Sequence, residues 1–412
     1  MTSSAIQQGM CPQRLARIDD FLKTRYIASG KLPHTHLVVA RAGQVVHRSL
    51  HGQARLATAE ASAVPLTEDT LTRLNSMTKP ITSVAFMMLV EEGKVALDDP
   101  VHSFIPSWRN LGVYVSGGPG MWVTRPTDAP MRIIDLLRHT SGLTIGLQMR
   151  NNVDAAYRSA DLNPSAQQEG LQGLIDGLAQ VPLVFSPGTA WNYSLSTDVL
   201  GHLVEVISGQ PFAQFLQQRI FGPLGMVDTA FHVSEDKLRR FSECYIVGAD
   251  GKLAPAIQGR PTYKAPPAAA SGASGLVSTM ADFLRFCELL RRGGEFEGVR
   301  LLGPKTLQLM RSNHLPGQLD LHQASVSMFS DASFAGVGFG LGFAMNVDVA
   351  KIGLAGSLGS YWWGGLAGTL FWIDPVEDLS VVFFTQLIPS TLYPIRRELF
   401  TLVNAAIVDS KA

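Results

Sequence analysis

Cysteine is scarce in this chain of 412 residues: Cys11, Cys244 and Cys287 are all it has, with no CxxC spacing. An odd, scattered set argues against a disulfide framework and suits free thiols in a reducing compartment. Charge is thin as well, at 17% against an ordinary share of about 25%. Lys+Arg and Asp+Glu both total 34, so the formal net charge is +0. No basic excess exists to neutralise phosphates, which argues against a nucleic-acid partner, and no polybasic run addresses an anionic membrane. Long apolar runs are missing too, since stretches such as Val84 to Val90 are too short to cross a bilayer. The first twenty residues have neither the basic start nor the apolar run of a signal peptide, so the expected compartment is the cytoplasm. What is present is 46% hydrophobic residues, enough for a well-buried core. The length suits two or three domains or one large composite fold.

The periodicity predicts a helix from Pro12 to Ser29, with Leu15, Ile18, Phe21, Leu22 and Ile27 on one side. Two apolar runs, from His36 and from Val45, surround Ala42-Gly43-Gln44 and read as a hairpin. Ser76 to Glu92 is the clearest helix, with Met77, Ile81, Val84, Ala85 and Met88 as its stripe and Gly93 as its stop. Gly112 to Pro130, rich in glycine, proline and threonine, reads as a long loop. Met131 to Phe241 is largely helical, including 171–179, 197–208 and 211–220. Strand character returns at 354–361, 368–374 and 379–386, and a helix over 394–408 closes the chain. A helical block between two α/β segments predicts an insertion: residues 1–80 with 270–412 as an α/β unit, and 81–269 as a largely helical unit within it.

Three short patterns can carry chemistry. Ser76-Met77-Thr78-Lys79 is an S-x-x-K spacing, and residues three apart share a helix face, so the Lys79 ammonium can reach the Ser76 hydroxyl. A serine hydroxyl is a weak nucleophile until a base takes its proton, and a lysine serves only where its surroundings lower its pKa. The alternative is a helix-capping serine beside a solvated lysine. Trp191-Asn192-Tyr193-Ser194 precedes a helix and can hold the Tyr193 phenol in a cleft as acid or base; the alternative is a packing tyrosine. Trp362-Trp363-Gly364-Gly365-Leu366-Ala367-Gly368 brings glycines to a strand, where a ligand can approach the backbone; the alternative is a bulge among aromatics. No G-x-S-x-G elbow and no phosphate loop accompany them. His34-Thr35-His36 has no neighbouring carboxylate or cysteine to complete a metal set, and His139, two residues before Ser141, reads as structural. No metal or organic cofactor is implied.

Together, Ser76-x-x-Lys79, Tyr193-Ser194 and Trp363-Gly364-Gly365 resemble the serine β-lactamase and penicillin-binding superfamily, and most of all its esterase branch, the family VIII carboxylesterases. Leu136-Leu-Arg-His-Thr-Ser-Gly-Leu143, Phe221-Gly-Pro-Leu-Gly-Met226 and Ser274-Gly-Leu-Val-Ser-Thr279 extend the resemblance, which runs from about Leu15 to about Asn404. It implies a class C β-lactamase-like α+β fold: a mainly antiparallel sheet flanked by helices, with an inserted, mostly helical domain. It also implies Ser76 as acylated nucleophile, Lys79 as proton acceptor and Tyr193 as proton shuttle, with either of the latter two as base. The backbone N–H groups of Ser76 and Leu366 would form the oxyanion hole.

The departures bear on substrate. Trp363-Gly364-Gly365 stands where the resemblance leads one to expect Lys-Thr/Ser-Gly, replacing a cation and a hydroxyl with an aromatic wall. Leu195 stands where Tyr-Ser/Ala-Asn would place an amide, and Ile145 lies where some esterases carry an aromatic. Trp363, Gly364 and Gly365 are therefore the expected substrate contacts. The expected function is hydrolysis of short-chain carboxylic esters, small molecules, through an acyl-enzyme on Ser76. The alternatives are a promiscuous β-lactamase acting on cephalosporins, an acyltransferase using the same acyl-enzyme, and a non-catalytic penicillin-binding-like scaffold.

Overall fold

A computed structural model describes residues 2–256 and 263–412. Met1 and residues 257–262, which belong to the two units expected from the sequence, lie outside the described residues. The main sheet contains β1 (His34–Arg41), β2 (Gln44–Arg55), β3 (Val64–Pro65), β4 (Val337–Phe339), β5 (Ala344–Asn346), β6 (Tyr361–Gly364), β7 (Leu370–Asp374) and β8 (Leu379–Phe384). Their order is β4-β5-β6-β7-β8-β1-β2-β3, every pair antiparallel. Strands β1–β3 come from the N-terminal part of the chain and β4–β8 from the C-terminal part, and the two groups join inside the sheet where Val38 pairs with Val382.

Side-chain alternation in a strand sends successive residues to opposite faces, and this sheet is buried on both. Leu37, Val39, Val381 and Phe383 face a core shared with α1 (Pro12–Leu22), while Val38, Val382 and Phe384 face the larger core. The larger core takes in α2 (Thr78–Glu91), α3 (Ser196–Ser208) and α4 (Met280–Arg291); α5 (Ile395–Ala405) packs with α1. So the sheet is sandwiched between helices. Among the described residues no helix is long and apolar enough to cross a membrane.

Helix α2 is buried from Thr78 through Leu89, wider than the single stripe its sequence suggests. Burial of Ile81, Val84, Phe86 and Leu89 contributes about 1.5–3 kcal/mol each relative to exposure. That offsets the cost of carrying Lys79 inside, 3% exposed.

Several boundaries differ from the sequence reading, each for a local reason. Helix α1 stops at Leu22 and runs into a π turn over Lys23–Ile27. Gly112 to Pro130 is not a loop: Val113–Gly118 and Met121–Arg125 pair as a hairpin around Pro119-Gly120. Its outer residues Val115, Met121 and Val123 are exposed, so no buried face marks the strands in the sequence. The strand expected over 354–361 begins only at Tyr361, because Gly353, Gly356 and Gly359 all take positive φ and turn the chain there.

Candidate active site

Ser76 sits in a single 3-10 turn, Asn75–Met77, that leads directly into α2. Asn75 adopts φ 48°, a left-handed conformation that costs a non-glycine residue energy and needs its surroundings to hold it. Buried Leu74 and Met77 on either side supply that hold. The first turn of a helix also leaves its backbone N–H groups without intrahelical acceptors, and Ser76 lies in that stretch.

One helical turn on, Lys79 Nζ donates to Ser76 Oγ at 3.3 Å and to the Ala273 carbonyl at 3.0 Å. It lies 4.5 Å from the centre of the Tyr193 ring. Tyr193 Oη donates to the same Ser76 Oγ at 2.7 Å. The structure thus brings Ser76, Lys79 and Tyr193 onto one oxygen, although Tyr193 is 117 residues away in the chain. Tyr193 is held from several sides: Gln148 Nε2 donates to its carbonyl at 2.9 Å, and the rings of His139, Phe329 and Trp363 lie 5.2, 5.4 and 5.8 Å from its own. Leu195 is buried and caps α3, so the place of the missing amide is filled by core packing.

Lys79 has a hydroxyl and a carbonyl as its acceptors, not a carboxylate. The acid that feels its field is Asp198, on the first turn of α3, where a helix favours negative charge. Asp198 Oδ1 accepts from Ser271 Oγ at 2.6 Å and from the Ala273 N–H at 3.1 Å. Burial pushes its carboxyl up, and the Ser271 hydrogen bond and the Lys79 ammonium pull it back. Asp198 thereby fixes the residue whose carbonyl holds Lys79. Gly272 is needed in this loop because a Cβ there would stand 2.2 Å from the Thr197 carbonyl oxygen.

Trp363 and Gly364 end β6, and Gly365 turns away from it. A Cβ at Gly365 would meet Thr369 Oγ1 at 2.1 Å and the Leu74 carbonyl oxygen at 2.3 Å, so this turn lies directly against the Ser76 turn. Thr369 Oγ1 donates to the Leu74 carbonyl at 3.0 Å and ties the two together. Leu366 follows within the turn, its carbonyl accepting from the Ser390 N–H at 2.8 Å. Trp363 stacks on Phe329 with centroids 5.7 Å apart and planes at 17°, which extends the aromatic wall beyond the residues read from sequence.

His139 is buried with φ 57°, and burial together with the Lys79 field pulls its ring well below the ordinary value. Its Nδ1 bonds Ser194 Oγ at 3.1 Å, not Ser76. His34 Nδ1 bonds the Gln53 carbonyl at 3.1 Å. No group of three His, Cys, Asp or Glu able to hold a metal occurs among the described residues.

Asp198, Gln148 and Phe329 escaped the sequence reading. Asp198 carried one usable signal, its place five residues after Tyr193 in the first turn of a helix. Gln148 closes a single 3-10 turn, Gly146–Gln148, and Phe329 lies in an irregular turn, neither within a motif.

A hydroxyl set between an ammonium and a phenol at the entrance of a buried helix, beside an antiparallel sheet layered with helices, defines a serine hydrolase. The chain belongs to the β-lactamase family, whose model, described as Beta-lactamase, matches residues 17–400. It is 33% identical over 368 residues to Esterase EstB of Burkholderia gladioli, covering 85% of this chain and 84% of that one. It is 36% identical over 331 residues, 80% of each chain, to a protein of Mycobacterium tuberculosis. Among solved structures it is similar to EstCE1, described as a hydrolase with promiscuous acyltransferase activity: TM-score 0.79 and 25% identity over 96% of this chain and 98% of that one. Unliganded simvastatin synthase (LovD) of Aspergillus terreus shares the fold, with TM-score 0.78 and 24% identity over 95% and 98% of the two chains.

Proposed function

We propose that this protein is a serine carboxylesterase that cleaves short-chain carboxylic esters through an acyl-enzyme on Ser76. The observation that carries the reading is the Ser76 hydroxyl shared by Lys79 Nζ at 3.3 Å and Tyr193 Oη at 2.7 Å. The relationship to EstB supports the substrate class. In acylation, Ser76 Oγ adds to the ester carbonyl carbon while its proton passes to the Lys79–Tyr193 pair. The carbonyl π electrons move onto oxygen, which the N–H groups of Ser76 and Leu366 receive. Collapse expels the alkoxide, and Tyr193 returns the proton to it. Water then attacks the acyl-serine with the same pair as base, releasing the acid and restoring the Ser76 hydroxyl. Trp363 forms the apolar wall for the substrate, and Gly364 and Gly365 let it approach the backbone.

On the same reading, residues 1–80 with 270–412 form the sheet unit and 81–269 the inserted helical unit that carries Tyr193. Support comes from the main-sheet strands, which fall at 34–65 and 337–384. A cytoplasmic setting is supported by the scarcity of cysteine, three scattered residues in 412 with no CxxC spacing.

The test is turnover of a short-chain p-nitrophenyl ester by the wild type and by Ser76→Ala. The expected outcome is a folded variant without turnover. Equal activity in the two would remove Ser76 from the chemistry. Transfer of the acyl group to an alcohol instead of water is a second reading, favoured by the likeness to EstCE1; transesterified product in the presence of added methanol would reveal it.

A further inference from the structure

The oxyanion turn contains a charge that the reaction scheme above does not use. Arg396 reaches from the first turn of α5 to residues 364–369, where its Nη2 donates to the Gly365 carbonyl at 2.6 Å and to the Thr369 carbonyl at 3.3 Å. A Cβ at Gly364 would lie 2.8 Å from Cζ, 2.8 Å from Nη2 and 2.9 Å from Nη1, so the guanidinium packs flat on the backbone at that glycine. Nε is buried with no hydrogen-bond partner, and no carboxylate pairs with Arg396 among the described residues. Burial pulls the guanidinium down to about 10, opposed by the field of Tyr193, and it remains a cation at neutral pH.

We propose that Arg396 is a positioning residue for ester hydrolysis, orienting and polarising the Gly365–Leu366 peptide so that the N–H of that peptide is a stronger donor to the oxyanion. The inference rests on the acyl-enzyme reading of Ser76. The Gly365 carbonyl and the Leu366 N–H belong to one planar trans peptide unit, in which C=O and N–H point in opposite directions. Holding the oxygen against the guanidinium therefore aims the N–H away from α5. The Gly365 N–H bond to the Thr369 carbonyl at 2.8 Å and the Ser390 N–H bond to the Leu366 carbonyl at 2.8 Å stop the turn from rotating out of that alignment.

A charge-assisted hydrogen bond at the carbonyl is about twice as strong as a neutral one, and it draws electron density toward oxygen, making the N–H of the same unit more acidic as a donor. A desolvated cation without a counter-ion is ordinarily costly. Here negative charge arrives during the reaction, as the tetrahedral oxyanion, so the field of Arg396 acts on the transition state more than on the neutral ester. The arrangement also gives the Trp363-Gly364-Gly365 segment a cation from behind the strand, although the sequence offers none within it.

The experiment pairs steady-state kinetics with inhibition by phenylboronic acid, whose boron accepts the Ser76 Oγ electron pair and becomes a tetrahedral anion as the hydroxyl proton leaves to the base. Arg396→Met is expected to lower kcat about 10- to 100-fold with KM within about twofold, and to weaken boronate inhibition by the same factor. Arg396→Lys, which keeps the charge without the planar fork, should fall between the two. A kcat within about twofold of wild type in Arg396→Met overturns the proposal. So does a fall in kcat with boronate affinity unchanged, because a purely structural role would not track the tetrahedral anion. If the Met variant does not fold, the same two readings on Arg396→Lys decide. Failure of the underlying reading looks different: the wild type would escape boronate inhibition and Ser76→Ala would stay active.

Discussion

Two side chains address Ser76 Oγ, and their surroundings assign them different costs. Tyr193 carries its OH on a ring packed among His139, Phe329 and Trp363, contacts that a phenylalanine would keep. Tyr193→Phe should therefore fold normally and lose about 10²- to 10⁴-fold in kcat, read from ester turnover beside a thermal melt. Lys79 is a buried cation with no carboxylate partner, so its presence opposes stability. Lys79→Met is expected to abolish turnover while leaving the melting temperature equal to or above that of the wild type; a clear fall in melting temperature would refute the electrostatic argument. Asp198 separates geometry from charge. Asp198→Asn retains an acceptor for Ser271 and Ala273 but removes the anion near Lys79. Removing that charge alters the field at Ser76, Lys79 and Tyr193 while the loop keeps its hydrogen bonds, so the pH profile of kcat/KM should shift. Asp198→Ala should lose activity at every pH, because the Ala273 carbonyl is no longer held toward Lys79. A pH profile of Asp198→Asn superimposable on the wild type would leave Asp198 a purely structural role.

Among elements, the close contact between the end of β6 and the turn before α2 decides whether the pieces of the site meet. Gly365→Ala would put a Cβ 2.3 Å from a backbone oxygen that cannot retreat without moving Leu74 and the Ser76 turn. The expected result is at least about 100-fold lower kcat/KM together with a lower melting temperature, since a strand end and a helix start must part. Several long elements were legible from apolar spacing and turn residues in the chain: the β1–β2 hairpin and α2, α3 and α5 all stand near where those signals put them. The elements that misled lack that contrast. The hairpin of Val113–Gly118 and Met121–Arg125 exposes Val115, Met121 and Val123, and 354–360 is turned by Gly356 and Gly359. By spacing alone the site was legible only where chemistry is local, and Tyr193 and Trp363-Gly364-Gly365 were reached through the family resemblance of their motifs. Lys79 is three residues from Ser76 and shares its turn, whereas Asp198, Phe329 and Arg396 act through contacts made by the fold, which no spacing in the chain records. Nothing in two adjacent arginines tells which one bends toward Gly365.

At the scale of the whole molecule, the sheet that supports the site also sets its response to acid. β1, which pairs with β8 at the sheet centre, carries His34 and His36, both buried. Burial lowers His34 from 6.5 to about 4, and burial with the fields of His34 and Arg48 lowers His36 to about 3. His139, behind Tyr193, is lowered in the same direction. The sign follows from proton counting. Between pH 6.5 and the folded values, the unfolded chain binds protons that the folded chain refuses, so unfolding gains as pH falls. The penalty begins near 6.5 and is complete below about 4 for His34 and about 3 for His36. For His34 alone it reaches on the order of 2 kcal/mol at pH 5. Most carboxylates titrate mainly below that pH, so the histidines dominate proton uptake between 6.5 and 5. Urea midpoints measured across that interval should fall steadily, and His34→Asn should flatten the slope even if it lowers the midpoint at pH 7.5. A midpoint constant from pH 7 to 5 would mean that these imidazoles take up protons within the fold.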